Sequence, residues 1–355
     1  MKRDYGIDLL KMLAMTMVVA HHVLNAGVEV KVLSGDTAWG LKFLLQAFHC
    51  FCYCAVDVFV MATGYIMCRH EFKYIRIFRL WRQVVGYSLA LLVIALAIGH
   101  HVGWRDVANA ILPVTTNQYW FFTQYFALFF TIPFLNKLME SLSRREVGIL
   151  MVTGLGLLSI MPLIAGQDIF VTKWGYCYLW FMFLYCAGSA IYKFDLVSRL
   201  GSLVAVLGLL VGVVVSALGA VGSTFLPQVF GGGARVGDLA YSYTSPSLVL
   251  EAVSLFVLFG RMKVKSPFWQ RAIAFLAPGT FIVYVVHENG LFRKMVGWDA
   301  VFLPLAEHGG ALFAIASVIL VALLIFVLIT LVDAVRRSAA VRVMGLFRAR
   351  PTNEK

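Results

Sequence analysis

Charged residues are scarce in this sequence. Only 14% of the 355 residues are Asp, Glu, Lys or Arg, whereas 61% are hydrophobic and the mean hydropathy is +0.85. Soluble globular domains carry about 25% charged residues, so this composition excludes that class. Acidic residues are the rarer kind, with 18 against 30 basic residues and a formal net charge of +12.

Two further absences narrow the class of protein. The apolar runs do not alternate with polar residues, as the strands of an outer-membrane barrel would. No small-x-small cleavage site follows the first apolar segment, so we expect that segment to be retained rather than removed as a signal peptide. The sequence therefore predicts an all-α, polytopic integral membrane protein.

Cysteine forms no secreted disulfide framework, because all six cysteines lie in or beside apolar segments, at positions 50, 52, 54, 68, 177 and 186. The stretch from His49 to Cys54 has the composition of a metal site. However, alternate residues of a helix point about 200° apart, and only Cys50 and Cys54 share a face. We therefore expect no metal.

About ten transmembrane helices are predicted from the long apolar runs. Their approximate limits are 7–28, 42–68, 76–99, 118–135, 147–165, 176–192, 200–221, 242–260, 273–287 and 311–333. The longest outer loop runs from about Gly222 to Tyr241, which leaves no room for a separate soluble domain. We expect one transmembrane domain over 1–335 and a basic cytoplasmic tail over 336–355, lying on the anionic inner leaflet.

The distribution of Lys and Arg predicts the orientation. With the N-terminus in the cytoplasm, the inner segments hold 22 basic residues and the outer segments hold seven. This bias follows the positive-inside rule and places both termini in the cytoplasm. It also explains the net positive charge without nucleic acid, so the lipid bilayer is the expected partner of these cations.

The first predicted span carries ionisable residues, which are costly inside a bilayer and usually mark function. Lys11 and His22 are 11 residues apart, so they lie within about 20° on the helix face and about 16 Å apart along it. His22 suits a general base or an acyl-transfer nucleophile, although an imidazole hydrogen-bonded between helices is the alternative. His21 points about 100° away and is the weaker candidate.

Two other histidines lie at a similar depth. His287 ends the ninth predicted span, about 21 Å from its cytoplasmic side, and His49 lies near the outer end of the second. The three histidines could line one cavity, but equal depth does not establish lateral proximity. Asp57 lies about 12 Å below His22, where it could pair with a cation or orient a histidine, and Glu251 is similarly placed in the eighth span.

Arg76 and Arg79 begin the third predicted span on the cytoplasmic side. Guanidinium groups bind phosphate bidentately, so a phosphorylated ligand is one explanation of this pair. Ordinary positive-inside anchoring is the other, and the spacing alone favours it.

Five segments in the same order resemble the membrane acyltransferase-3 family, in particular the bacterial surface-polysaccharide O-acetyltransferases. The resemblance runs from about Tyr5 to Trp298. The first helix is similar to the family's Arg-x10-His helix, with His22 at the histidine and Lys11 where the family usually has Arg. The other four segments are 56–65, ending in Thr63-Gly64-Tyr65; 76–79, with its Arg pair; 119–136, with Tyr119-Trp120-Phe121 and Pro133-x-Leu135-Asn136; and 280–288, with Tyr284-x-x-His287.

The resemblance implies an O-acyltransferase of the bacterial inner membrane. Such an enzyme moves an acyl group, commonly acetyl, from cytoplasmic acyl-CoA to a hydroxyl of a glycan or lipid-linked glycan at the outer face. We expect catalysis by His22 and His287, with His287 either helping proton transfer or binding the acceptor. We also expect donor binding by Lys11, Arg76 and Arg79, and acceptor binding by Tyr119, Trp120, Asp57 and Glu288. A non-catalytic transporter or lipid-glycan flippase, with the polar stripe lining its pathway, is the alternative.

Overall fold

The computed structural model describes residues 3–35, 38–225, 241–306 and 310–348. Within these ranges every regular element is helical. The predicted tip of the longest outer loop and the last seven residues lie outside the described residues.

Eighteen α-helices can be traced in the described ranges. They are α1 (Tyr5–Val23), α2 (Glu29–Ser34), α3 (Trp39–Tyr53), α4 (Ala55–Met67), α5 (Ile75–Ala97), α6 (Trp104–Ile111), α7 (Trp120–Ser141), α8 (Arg144–Leu155), α9 (Met161–Ala165), α10 (Tyr178–Lys193), α11 (Leu196–Arg199), α12 (Ser202–Phe225), α13 (Pro246–Gly260), α14 (Pro267–Leu276), α15 (Thr280–His287), α16 (Gly290–Val296), α17 (Trp298–Phe302) and α18 (Gly310–Arg348).

Seven helical stretches in the described ranges are long and apolar enough to cross a membrane: Tyr5–Ser34, Trp39–Met67, Ile75–Ala97, Arg144–Ala165, Ser202–Gly222, Pro267–His287 and Gly310–Ala340. α13 is a shorter apolar helix. α7 and α10, of 22 and 16 residues, fall at the two remaining predicted spans. The structure therefore has a helix at every predicted span, while the count of ten crossings stays a prediction.

Helix α1 lies at the centre of the bundle and packs against α3, α4, α13, α15 and α18. Asp4 starts it as an N-cap, since its carboxylate accepts the Ile7 amide at 3.2 Å. The helix ends in a wide π-helical turn, Leu24–Val28, where Gly27 has φ = +91°. Such turns recur at functional sites because they re-aim the neighbouring side chains. His21 and His22 stand directly before this turn.

The Thr63-Gly64-Tyr65 segment is explained by the packing of α4 against α10. A Cβ placed on Gly64 would lie 2.0 Å from the Tyr185 carbonyl oxygen, and one on Gly188 would lie 2.0 Å from the Met61 carbonyl oxygen. The two glycines thus allow the backbones to touch, as small residues do between membrane helices. This contact fixes α4 and the residues that it presents to α1.

The last helix continues past the predicted domain limit at residue 335. Asp333 is almost fully buried and pairs with Arg336 at 2.7 Å and with Arg337 at 2.8 Å. The first residues of the predicted tail are therefore helical, and two of its cations are held by a carboxylate of the same helix.

Candidate active site

The predicted polar stripe of α1 borders a cleft. Met15, Val18 and His22 all line it, and they follow Lys11 at intervals of three or four residues, which places them on one face. The cleft is narrow, with a cavity volume of about 30 Å³. Its other walls come from α3, α4, α7, α15 and the segment before α13, through Cys52, Tyr53, Val56, Phe59, Trp120, Phe121, Tyr243 and Tyr284, and His21 also lines it.

His22 and His287 are in direct contact. Nδ1 of His22 lies 2.9 Å from Nε2 of His287, whose Nδ1 lies 2.6 Å from the Val283 carbonyl oxygen. A carbonyl only accepts, so Nδ1–H of His287 donates to Val283 and its Nε2 carries a lone pair. That lone pair accepts Nδ1–H of His22. When both rings are neutral, Nε2 of His22 therefore carries the lone pair that is free to react.

Glu288 and Arg293 hold the same side of His22. Oε1 of Glu288 lies 3.2 Å from Nδ1 of His22 and 2.9 Å from a guanidinium nitrogen of Arg293. The indole of Trp298 donates to the His22 carbonyl oxygen at 3.2 Å, and Arg293 stacks on that indole. Glu288 can thus stabilise positive charge on His22, while Arg293 holds the carboxylate in place.

His22, His287 and Glu288 also form a set that could hold a metal ion, because one ligand atom of each lies within 4.8 Å of the others. Two nitrogens bound tetrahedrally to zinc would be about 3.4 Å apart. The His22–His287 separation of 2.9 Å is shorter than this and is that of a hydrogen bond. We therefore interpret the cluster as a hydrogen-bonded relay.

A second histidine pair lies beside the first, and the sequence did not predict it. Nδ1 of His21 lies 2.7 Å from Nε2 of His49, and Nδ1 of His49 lies 2.7 Å from a carboxylate oxygen of Glu29. The rings of His21 and His22 are 5.3 Å apart. The histidines at equal depth thus form two adjacent pairs, with His21 and His22 facing the cleft. The only signal in the sequence was the common depth of His22, His49 and His287.

The predicted acceptor residues Tyr119 and Trp120 lie in different environments. Tyr119 is buried, and its hydroxyl bonds to Ser88 at 3.0 Å and to the Asn289 amide at 2.8 Å. Trp120 lines the cleft next to Tyr176 and Tyr243, with ring centroids 4.4 and 5.6 Å away. Only Trp120 of this pair is placed to touch a ligand in the cleft.

Asp57 is fully buried away from the histidines. Its Oδ1 accepts the Trp180 indole at 3.2 Å, and its Oδ2 has no hydrogen-bond partner in the described structure. Glu251 is buried in α13, where it accepts the Ser216 hydroxyl at 2.8 Å. Neither carboxylate lines the cleft, so Asp57 is not placed to bind an acceptor there.

The three predicted donor cations have different surroundings in the structure. Nζ of Lys11 pairs with Asp8 at 2.8 Å, and Arg3 binds the other oxygen of that carboxylate at 2.6 Å. Arg76 donates to the Met67 sulfur at 3.2 Å, and Arg79 is exposed. Since a thioether is a weak acceptor, Arg76 keeps most of its hydrogen-bonding capacity.

A hollow of about 700 Å³ opens where α4 ends, and Arg76 is not among its lining residues. Arg69 lies in its wall with its guanidinium stacked on Tyr65 and Tyr192, 4.3 and 5.0 Å from their ring centroids. Nε of Arg69 donates to the Tyr65 carbonyl oxygen at 2.9 Å. Lys137 and Lys193 line the same hollow, together with Glu71 and Glu140. These residues were not predicted from the sequence, although Arg69 precedes Arg76 by only seven positions.

Residues 4–332 match the model of the acyltransferase-3 family, which is described as an acyltransferase domain. This match covers nearly the whole chain and includes both histidine pairs. The protein therefore belongs to the membrane acyltransferase-3 family. Comparison with curated proteins and with solved structures gave no significant match.

Proposed function

We propose that the protein is an O-acyltransferase of the bacterial inner membrane. It moves an acyl group, acetyl in our assignment, from cytoplasmic acyl-CoA to a hydroxyl of a cell-surface or exopolysaccharide glycan at the outer face. The observation that carries this proposal is the free Nε2 of His22, which is oriented by His287 and lies on a cleft shared with aromatic side chains.

The tautomer of His22 suits acyl transfer in two ways. As a base, its Nε2 takes the proton of the attacking hydroxyl. As a nucleophile, it attacks the thioester carbonyl carbon, the C–S bond breaks, and the Nδ1 proton passes to Nε2 of His287. Both routes depend on the His22–His287 hydrogen bond, which presents the lone pair to the cleft.

The donor approaches from the end of α1 that carries Lys11. Met15 and Val18 separate Lys11 from His22, over about 16 Å along the helix, and an extended pantetheine arm can span this distance. Arg76, whose guanidinium contacts only the weakly accepting Met67 sulfur among the described side chains, and Arg69, in the wall of the hollow, supply guanidinium donors for the phosphates. Lys11 contributes a positive charge that Asp8 shares with Arg3.

The acceptor meets the donor at the aromatic wall of the cleft. Trp120, Tyr53 and Tyr243 line it, and the rings of Tyr53 and Tyr243 are stacked with centroids 4.3 Å apart. Flat aromatic faces pack well against the apolar faces of sugar rings, while Tyr hydroxyl groups supply hydrogen bonds. Glu288 acts here through His22, rather than through contact with the sugar.

The acetyl content of the cell-envelope glycans tests this function. Deleting the gene should remove one class of O-acetyl group, and wild-type protein should restore it, whereas His22→Ala should not. The alternative function, a lipid-glycan flippase, makes a different prediction. Deletion would then lower the amount of exported glycan, and the acetyl content of each remaining glycan would not change.

A further inference from the structure

The second histidine pair forms a chain of hydrogen bonds with a defined direction. The Glu29 carboxylate only accepts, so Nδ1–H of His49 donates to it over 2.7 Å. Nε2 of a neutral His49 then accepts Nδ1–H of His21 over 2.7 Å. The lone pair of His21 is consequently on its Nε2. This is the arrangement that the first pair gives to His22.

The lone pair on Nε2 of His21 has a partner, Asn25, that an acceptor hydroxyl could replace. The side-chain amide nitrogen of Asn25 lies 3.0 Å from Nε2 of His21, and an amide nitrogen donates. Asn25 is exposed and lies in the wide turn after α1, whereas His49 is 3% exposed. A hydroxyl that replaces the Asn25 amide would make the same hydrogen bond to Nε2 without disturbing the buried part of the chain.

Both histidines therefore belong to one cleft. His21 and His22 line it together, and the ring of Tyr53 from the aromatic wall lies 5.0 Å from the ring of His21. One histidine is held by His287 and the Val283 carbonyl, and the other by His49 and a carboxylate. Each pair has a carboxylate that can stabilise a cation, since Glu29 bonds to His49 and Glu288 lies 3.2 Å from Nδ1 of His22. His21 differs in its exposed partner, Asn25, which an acceptor hydroxyl can replace.

We propose that His21 is the base for the acceptor hydroxyl, with His49 and Glu29 as positioning residues, while His22 handles the acyl group. This inference rests on the proposed function. It assigns the transfer of the acyl group to the acceptor hydroxyl to named atoms. The acceptor O–H bond breaks as its oxygen bonds to the acyl carbon, and the proton moves to Nε2 of His21.

The bond between the acyl group and its leaving atom breaks in the same step. The electron pair of the breaking acyl bond returns to its leaving atom, which is Nε2 of an acylated His22 or the sulfur of the thioester. In the first case His287 returns the Nδ1 proton to His22. His21 then releases its proton to water at the exposed side of Asn25, and the leaving thiolate takes one from the cytoplasmic solution.

Two acceptors of different acidity test this role. Hydroxylamine attacks acyl groups as a neutral amine and needs no base, whereas a sugar hydroxyl does. Purified variants would be given acetyl-CoA and either hydroxylamine or polysaccharide extracted from a host that lacks the gene. We expect His21→Ala and Glu29→Gln to slow transfer to the polysaccharide by about 100-fold, since general-base catalysis typically contributes that much or more. Transfer to hydroxylamine should change by less than about threefold in the same variants.

The controls separate this role from folding and from the proposed function. Retained transfer to hydroxylamine shows that a variant is folded, His22→Ala should lose transfer to both acceptors, and the exposed His101→Ala should lose neither. Equal losses with both acceptors in the isosteric Glu29→Gln, or full activity of His21→Ala with the polysaccharide, would overturn the inference. Wild-type protein that transfers acetyl to neither acceptor would instead contradict the proposed function.

Discussion

Nδ1 of His22 and Nε2 of His287 are 2.9 Å apart, although 265 residues separate them in the chain. The contact joins the first helix to the end of α15, and the Val283 carbonyl fixes the direction of the hydrogen bond. The reactivity of His22 therefore depends on a residue that belongs to another helix.

Replacing His287 should impair chemistry more than binding. His287→Ala removes the nearer acceptor of the His22 Nδ1 proton and leaves the Glu288 carboxylate at 3.2 Å, so the tautomer and the orientation of the ring are less firmly fixed. We expect kcat to fall by about 10²–10⁴-fold with little change in KM for acetyl-CoA. Steady-state kinetics of the purified variant would measure this. A normal kcat would show that the relay has no part in the reaction.

The donor cations should act on acetyl-CoA rather than on the acceptor. Arg76→Ala removes a guanidinium that the proposal assigns to the CoA phosphates, and one lost charge-assisted contact costs about 1.5–3 kcal/mol, so we expect about 10- to 100-fold weaker CoA binding. Arg79→Ala should weaken binding in the same direction, and less strongly because Arg79 is exposed. Lys11→Arg should be tolerated, since it keeps the charge that pairs with Asp8.

Calorimetric titration of CoA into the detergent-purified variants would measure these changes. Arg105→Ala, on the exposed surface of α6, is the matched control and should bind CoA normally. Unchanged affinity in both Arg76→Ala and Arg79→Ala would mean that these residues only anchor the helix at the membrane surface. The donor site would then lie elsewhere.

The glycine contact between α4 and α10 should limit stability. Gly64→Ala places a Cβ 2.0 Å from the Tyr185 carbonyl oxygen, so the helices must separate, at a cost of about 1–3 kcal/mol. We expect a lower thermal unfolding midpoint in detergent. Gly86→Ala on α5 is the matched control because a Cβ there meets nothing within 4 Å. An unchanged midpoint in Gly64→Ala would mean that this contact is not tight.

Reporter fusions test the ten-span topology. The positive-inside bias predicts that Glu71 and Arg144 face the cytoplasm, whereas Asp36 and Asp238 face outward. The latter two lie outside the described residues. A reporter at Asp238 that reads cytoplasmic would contradict the predicted number of crossings between α10 and α13.

Helical periodicity was enough to predict the axial arrangement of the site. A rise of about 1.5 Å per residue placed His22 and His287 at one depth, and the 11-residue interval put Lys11 and His22 on one face. Both follow from α-helical geometry alone. The structure confirms the shared face, because Met15 and Val18 line the cleft between the two residues.

Helical periodicity could not predict which residues of different helices are in contact. His21 lies off the Lys11–His22 stripe, yet it faces the same cleft and contacts His49, because the cleft spans more than one helical face. Tyr119 and Asp57 are buried against Ser88 and Trp180, partners that the spacing within one helix does not specify. Interhelical packing decides these contacts, and a single sequence contains no measure of it.

The most direct test of the central claim separates donor and acceptor by a membrane. Purified protein would be reconstituted into liposomes that contain radiolabelled acetyl-CoA, with extracted polysaccharide outside. Vesicles in which the cytoplasmic face points inward should label the external polysaccharide, and His22→Ala vesicles should not. Labelling by His22→Ala within a few-fold of wild type, or labelling only when both substrates share one side, would contradict transfer through His22 across the bilayer.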